Sequence, residues 1–183
     1  MEDDADRFTA LFQRHYPDVL RYAARRTDPE RARDVTAEAF LVAWRRFGEL
    51  PREAEQVLPW LYAVARNVLA NHDRGDRRRL RLGARLGSAA APESHPDHAG
   101  TVVEALRLRE AMASLSEKDR EALRLVGWEG LDVRAAATVA GCSARTFAVR
   151  LHRARRRLDR ALVDRAGEDG AGTRCELAKE AGA

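Results

Sequence analysis

The sequence predicts an all-α protein built as two small helical domains joined by a flexible linker, the C-terminal one containing a helix-turn-helix. Three observations predict it. Nearly every patterned segment repeats its apolar residues at helical spacing, and no stretch alternates long enough to make a strand. At mid-chain the composition shifts to GSAAAPESHPDHAG, which is linker chemistry. Further on, Asp132 can cap a short helix through Ala140, Gly141 can take the left-handed conformation that ends it, and Ser143 can cap the next helix.

In the first domain, residues 6–82, Phe8, Leu11, Phe12, Val19, Leu20 and Ala23 define an amphipathic helix, broken or kinked near Pro17 and ending around Thr27-Asp28-Pro29. A second helix runs from about Glu30 to Phe47. It carries Thr36, Phe40, Ala43 and Phe47 on one side, and Asp34 and Glu38 one turn apart on another. Gly48 to Pro59 is expected to be a loop. A third helix, from about Trp60 to Arg74, buries Leu61, Val64, Ala65 and Val68 and then dissolves into the run Arg77, Arg78 and Arg79.

Residues 83–100 form the linker, and the second domain spans 101–163. It opens with Val102, Val103, Leu106 and Met112, and continues from Ser116, capped against Asp119, through Leu123, Leu125, Val126 and Trp128. Its last helix has two faces. At 100° per residue, Phe147, Leu151, Ala154 and Leu158 fall within about 60° of one another, a buried stripe. Opposite lie Arg145, Val149, His152 and Arg156, with Arg153 and Arg160 beside them, a guanidinium-rich face suited to a DNA groove. A plain solvated face would carry similar charge, but the turn chemistry ahead of it favours DNA. Residues 164–183 are expected to be a disordered or weakly ordered tail.

The 183 residues are 45% apolar, enough for packed helical cores, and the formal charge is only +4. Placement matters more than that sum, because acidic residues gather in the first third while arginines cluster at 74–85 and 145–160. Cys142 and Cys175 cannot make a disulfide framework, and no signal peptide or membrane-spanning run is present, so a cytoplasmic protein without membrane insertion is expected. His15, His72, His95, His98 and His152 lack ligand spacing, and there is neither a glycine-rich phosphate loop nor a nucleophile elbow. No metal, cofactor or catalytic residue is expected.

Trp60, Asn67, Asn71 and Arg74 form a further stripe on the third helix, an aromatic with two amides and an arginine that suits unstacked bases. Taken alone, the stripe equally fits a buried aromatic with polar edges. The segment WLYAVARNVLANHDRGDRRR resembles the promoter-melting helix of extracytoplasmic-function (ECF) RNA polymerase sigma factors of the sigma-70 family, and RDVTAEAFLVAWRRF resembles the preceding polymerase-docking helix. LSEKDREALRLVGWEGLDVRAAATVAGCSARTFAVRLHRARRRL is similar to the family's C-terminal promoter-reading domain, so the resemblance covers about Phe8 to Leu162.

That resemblance implies a non-enzymatic initiation factor that binds the polymerase core at the clamp coiled coil of the largest subunit and at the flap. Asp34, Glu38 and Phe40 fall at the docking positions. Trp60, Asn67, Asn71, Arg74, Arg77 and Arg78 fall where the family engages the −10 element, and the loop Gly48 to Pro59 takes the place of one that pockets a flipped-out base. Arg145, Val149, Arg150, His152, Arg153 and Arg156 fall in the helix that reads the −35 duplex. Arg150 lies off the groove sector and is expected to hold phosphate or brace the helix.

By resemblance the free chain is a monomer, held silent by an anti-sigma protein. With the short acidic start MEDDAD no autoinhibitory domain is expected ahead of the first helix, and the linker, roughly eighteen residues, is expected to reach on the order of 60 Å. Several positions depart from the family pattern: Asn71 stands for aspartate, Ala135 for glutamate, Arg145 and Phe147 for glycine and valine, and Thr36-Ala37 for valine-glutamine. A dimeric helix-turn-helix regulator with an N-terminal sensor is the alternative. Co-purification with polymerase core, against dimerisation and operator binding without it, separates the two.

Overall fold

A computed structural model describes the backbone of residues 2–83 and 102–180 and the side chains of residues 4–79 and 104–164. Among the described residues there are seven α-helices: α1 (Glu2–Ala24), α2 (Pro29–Arg45), α3 (Ala54–Gly83), α4 (Val102–Ala113), α5 (Glu117–Gly127), α6 (Val133–Ala140) and α7 (Ala144–Glu180). The all-α expectation holds. Two units result, Met1–His95 with Arg134–Ser143, and Pro96–Val133 with Ala144–Ala183. The anticipated linker, apart from Gly83, lies outside the described residues.

In the first unit α1, α2 and α3 pack pairwise around Val19, Tyr22 and Ala23, Val35, Ala39 and Phe40, and Leu61, Ala65 and Val68. Aromatic rings dominate the α1–α2 seam: Phe40 meets Phe12 edge-on at 4.9 Å and Phe8 at 6.5 Å, and Phe8 meets Trp44 at 4.9 Å. Tyr22 stacks on Tyr62 of α3 at 4.6 Å. Such pairs add about 0.5–1.5 kcal/mol each beyond the area they bury. Asp28 caps α2, accepting a hydrogen bond from the Arg31 backbone N–H at 2.9 Å, with Pro29 pre-set for the first helical position.

Four expectations need correction here. α1 is continuous through Pro17, an exposed position where one lost N–H bond is offset by the packing of Tyr16 and Val19 on either side. α2 ends at Arg45 rather than Phe47, because Phe47–Glu49 tighten into a 3₁₀ turn. The loop 48–59 shrinks, since α3 begins at Ala54 and Pro59 sits buried near its start. Finally, α3 does not dissolve at the arginine run but continues to Gly83; arginine is a good helix former, and Arg79 pairs with Asp76 one turn back at 2.9 Å.

The second unit has a smaller core: Ala111 and Met112 of α4, Leu115, Ala122, Leu123 and Leu125 on α5 and its approach, and Phe147, Leu151 and Ala154 of α7. Polar bonds fix its corners. Arg120 donates from Nε to the Met112 carbonyl at 3.1 Å and from Nη2 to the Ala113 and Leu115 carbonyls at 3.0 and 3.1 Å, satisfying groups that the end of α4 would leave open. Ser116 sits at the α5 N-cap as anticipated, accepting from the Asp119 backbone N–H at 3.2 Å and donating its hydroxyl to Asp119 Oδ2 at 2.8 Å. α7 runs to Glu180, beyond the end expected near Val163; no proline stands in that segment to stop it.

Candidate nucleic-acid interface

α6 starts directly after Asp132 and stops at Ala140, and Gly141 follows with φ +66°. A side chain there would be strained, so glycine is what lets the chain reverse within three residues before α7 starts after Ser143. α7 then presents the two faces expected. Phe147 and Ala154 are fully buried and Leu151 nearly so, while Leu158 is half-buried. Arg145, Val149, His152, Arg153 and Arg156 are exposed, and Arg150 is half-buried.

Arg145, Val149, Arg150 and Arg153 share one wall of a groove of about 530 Å³, whereas His152 and Arg156 stand outside it. Its other wall is the start of α5. Asp119, 4% exposed, reaches across to accept a hydrogen bond from Arg157 Nη1, which fixes α7 against α5. Sequence reasoning saw only the capping role of Asp119. Its second role has a faint signal, an acidic residue on an otherwise apolar helix face.

On α3, Trp60 is half-buried while Asn67, Asn71, Arg74, Arg77 and Arg78 are exposed. Arg74 Nη2 donates to Asn71 Oδ1, so amide and guanidinium are held as one hydrogen-bonded pair. Beside them His72 Nε2 lies 2.9 Å from Glu38 Oε2, and Arg31 bridges Asp73 at 3.1 Å and Asp76 at 2.8 Å. These pairs tie α2 to α3. None was visible in the sequence, because the residues involved are 34 to 45 positions apart.

The α2 surface is where expectation and structure part. Asp34 and Glu38 are exposed, but Phe40 is 3% exposed and serves as the hub of the aromatic cluster, so it cannot meet a partner while the helix is packed. Thr36 is also internal, its hydroxyl donating to the Ala32 carbonyl at 2.7 Å. Missed were Leu41 and Trp44, 47% and 45% exposed. Their spacing from Asp34 and Ala37, i, i+3, i+7 and i+10, is the signal that could have found them.

Two regions of the chain match family models, residues 11–79 that of Sigma-70 region 2 and residues 105–158 that of Sigma-70, region 4. The chain is 32% identical over 150 residues to the ECF RNA polymerase sigma factor SigL of Mycobacterium tuberculosis, covering 81% of this chain and 85% of that protein. It is 36% identical over 157 residues to SigC, an ECF RNA polymerase sigma factor of the same species, covering 83% and 80%. In fold it resembles the sigma factor RpoE of Bartonella quintana, solved with the anti-sigma factor NepR (TM-score 0.68, 22% identity, 85% and 96% covered). It also resembles CnrH, solved with the cytosolic domain of CnrY (TM-score 0.56, 26% identity, 86% and 87% covered). With both sigma regions in order on an all-helical frame, the chain belongs to the ECF sigma factors of the sigma-70 family.

Proposed function

We propose that the chain binds RNA polymerase core and directs it to a class of promoters by reading a −35 element as duplex and opening the −10 element. The observation that carries this reading is α7, whose exposed arginines oppose a face closed by Phe147 and Leu151. A helix braced on one side and cationic on the other can enter a major groove, where one bidentate arginine contact discriminates between bases by about 1–3 kcal/mol.

The exposed amide and arginine edge of α3 would then trap bases out of the stack, offsetting the few kcal/mol that unstacking costs. Asp34, Glu38, Leu41 and Trp44 supply the exposed face of α2 for polymerase, two carboxylates beside apolar surface. Phe40 acts beneath it. The bond-making chemistry stays with polymerase, so no cofactor is required of this chain. An anti-sigma protein as keeper is supported by the likeness to the sigma factor RpoE, which was solved with the anti-sigma factor NepR. No described helix is long and apolar enough to cross a membrane.

The test is transcription in vitro with core polymerase on fragmented genomic DNA, mapping start sites with and without the chain. New, shared upstream elements should emerge only with it. Asn67→Ala should impair opening more than closed-complex binding, read as weaker permanganate reactivity; wild-type footprints would remove the melting role from α3.

A further inference from the structure

The two carboxylates on the exposed face of α2 are held differently. Asp34 and Glu38 stand one turn apart and both are exposed. Among the described residues, no hydrogen bond or ion pair engages the Asp34 side chain. Glu38 is held: its Oε2 lies 2.9 Å from Nε2 of His72, which reaches over from α3. A carboxylate only accepts, so the ring presents Nε2–H, as the Nε2–H tautomer and the cation both can. The other charged groups of that corner are occupied with one another. Arg31 of α2 bridges Asp73 and Asp76 of α3, and Asp76 also takes Arg79. Among the described residues, His72 is therefore the only hydrogen-bond partner of the Glu38 side chain.

What this contact does follows from its exposure. With the His72 and Glu38 side chains 30% and 47% exposed, it contributes little to the stability of the fold. Its larger effect is on freedom, because a glutamate on an open helix surface samples many rotamers and a partner must select one of them. We infer that His72 is a positioning residue for the polymerase contact of Glu38. It presets the carboxylate through Oε2 and leaves Oε1 to accept from a cationic or N–H group of the partner. Asp34, with no such tether, pays its ordering cost at docking. His72 also stands beside Asn71, the residue bonded to Arg74, so the turn of α3 proposed to meet the −10 element is the turn that sets the docking side chain. This rests on the docking of α2 to polymerase proposed above.

The test titrates the fluorescently labelled full chain with core polymerase and reads a double-mutant cycle between the two positions. Glu38→Ala should weaken core binding, and His72→Ala should weaken it about two- to tenfold, the cost of ordering one free side chain at an interface. In the Glu38→Ala background, His72→Ala should add nothing. His72→Gln should restore affinity, since its amide nitrogen lies as many bonds from Cα as the histidine Nε2 and can donate to the same oxygen. Arg31→Gln cuts another tie between α2 and α3 without touching Glu38 and should bind as wild type does. Thermal melts should place His72→Ala close to wild type, which separates lost positioning from lost folding. Wild-type affinity in His72→Ala, additive losses in the cycle, no rescue by His72→Gln, or equal weakening in Arg31→Gln would each overturn the inference, while Glu38→Ala still reports docking through α2. Wild-type affinity in Glu38→Ala, or a wild-type chain that does not bind core, would overturn the docking reading with it.

Discussion

Rings hold the first unit and methyl groups with a single buried carboxylate hold the second. In the first, Phe8, Phe12, Phe40 and Trp44 interlock along α1 and α2, and ion pairs such as Arg31 with Asp73 and Asp76 lie outside them. In the second, alanine and leucine surround Phe147, and Asp119 and Arg120 do from within the joints what surface pairs do in the first. The difference follows from what each must leave exposed. A domain proposed to offer α2 and α3 to partners gains from a core that polar traffic on its surface does not disturb. A domain whose α7 carries an arginine stripe can anchor that helix through one of the arginines themselves.

The sharpest way to break the comparison is to remove one ring from each unit. Phe40→Ala and Phe147→Ala should each cost about 3–5 kcal/mol. If the units are independent, each loss stays local. Urea unfolding followed by tryptophan emission separates them, with Trp44 and Trp60 retained singly for the first unit and Trp128 for the second. Parallel loss in both units from either substitution would contradict two separate cores.

A smaller effect should come from the polar joint. Asp119→Asn keeps the shape but removes the charge that faces Arg157, and since Arg157 is 56% exposed the loss should be about 1–2 kcal/mol. Hydrogen exchange should show it as faster opening at the start of α5 and beside Arg157, with the first unit unchanged. Protection lost equally in α1 and α2 would show that the joint does not belong to the second unit alone.

The smallest effect concerns the α2 cap. The Arg31 backbone N–H holds the Asp28 carboxyl below its ordinary pKa of 3.8. A carboxylate depressed on folding contributes stability that is complete above its unfolded value and is lost as pH falls through the folded one. Asp28→Ala should therefore cost about 1 kcal/mol at neutral pH. That gap should narrow below about pH 3.8 in denaturant titrations. A gap independent of pH would assign the cost to helix propensity rather than to the charged cap.

Helix content, the Gly141 turn and the two faces of α7 were legible in the sequence because each depends on neighbours within about one helical turn. The same local logic failed at prolines. Pro17 and Pro59 read as breaks, yet burial of Val19 and Leu61 outweighs the single hydrogen bond each proline forgoes. It failed again at Phe40, where matching a family position said that the residue matters but not whether through surface contact or support. Pairs such as Glu38 with His72 require two helices to meet, and their approach is a property of the assembled core.

The unbroken course of α3 changes how its ends relate. Thirty residues make a rod about 45 Å long, packed on α1 and α2 along its earlier part and bearing arginines toward its far end. No hinge divides the two portions. Under the function proposed above, a slight tilt imposed on α2 by polymerase would be magnified at the arginine tip, and the two grips would be mechanically one event.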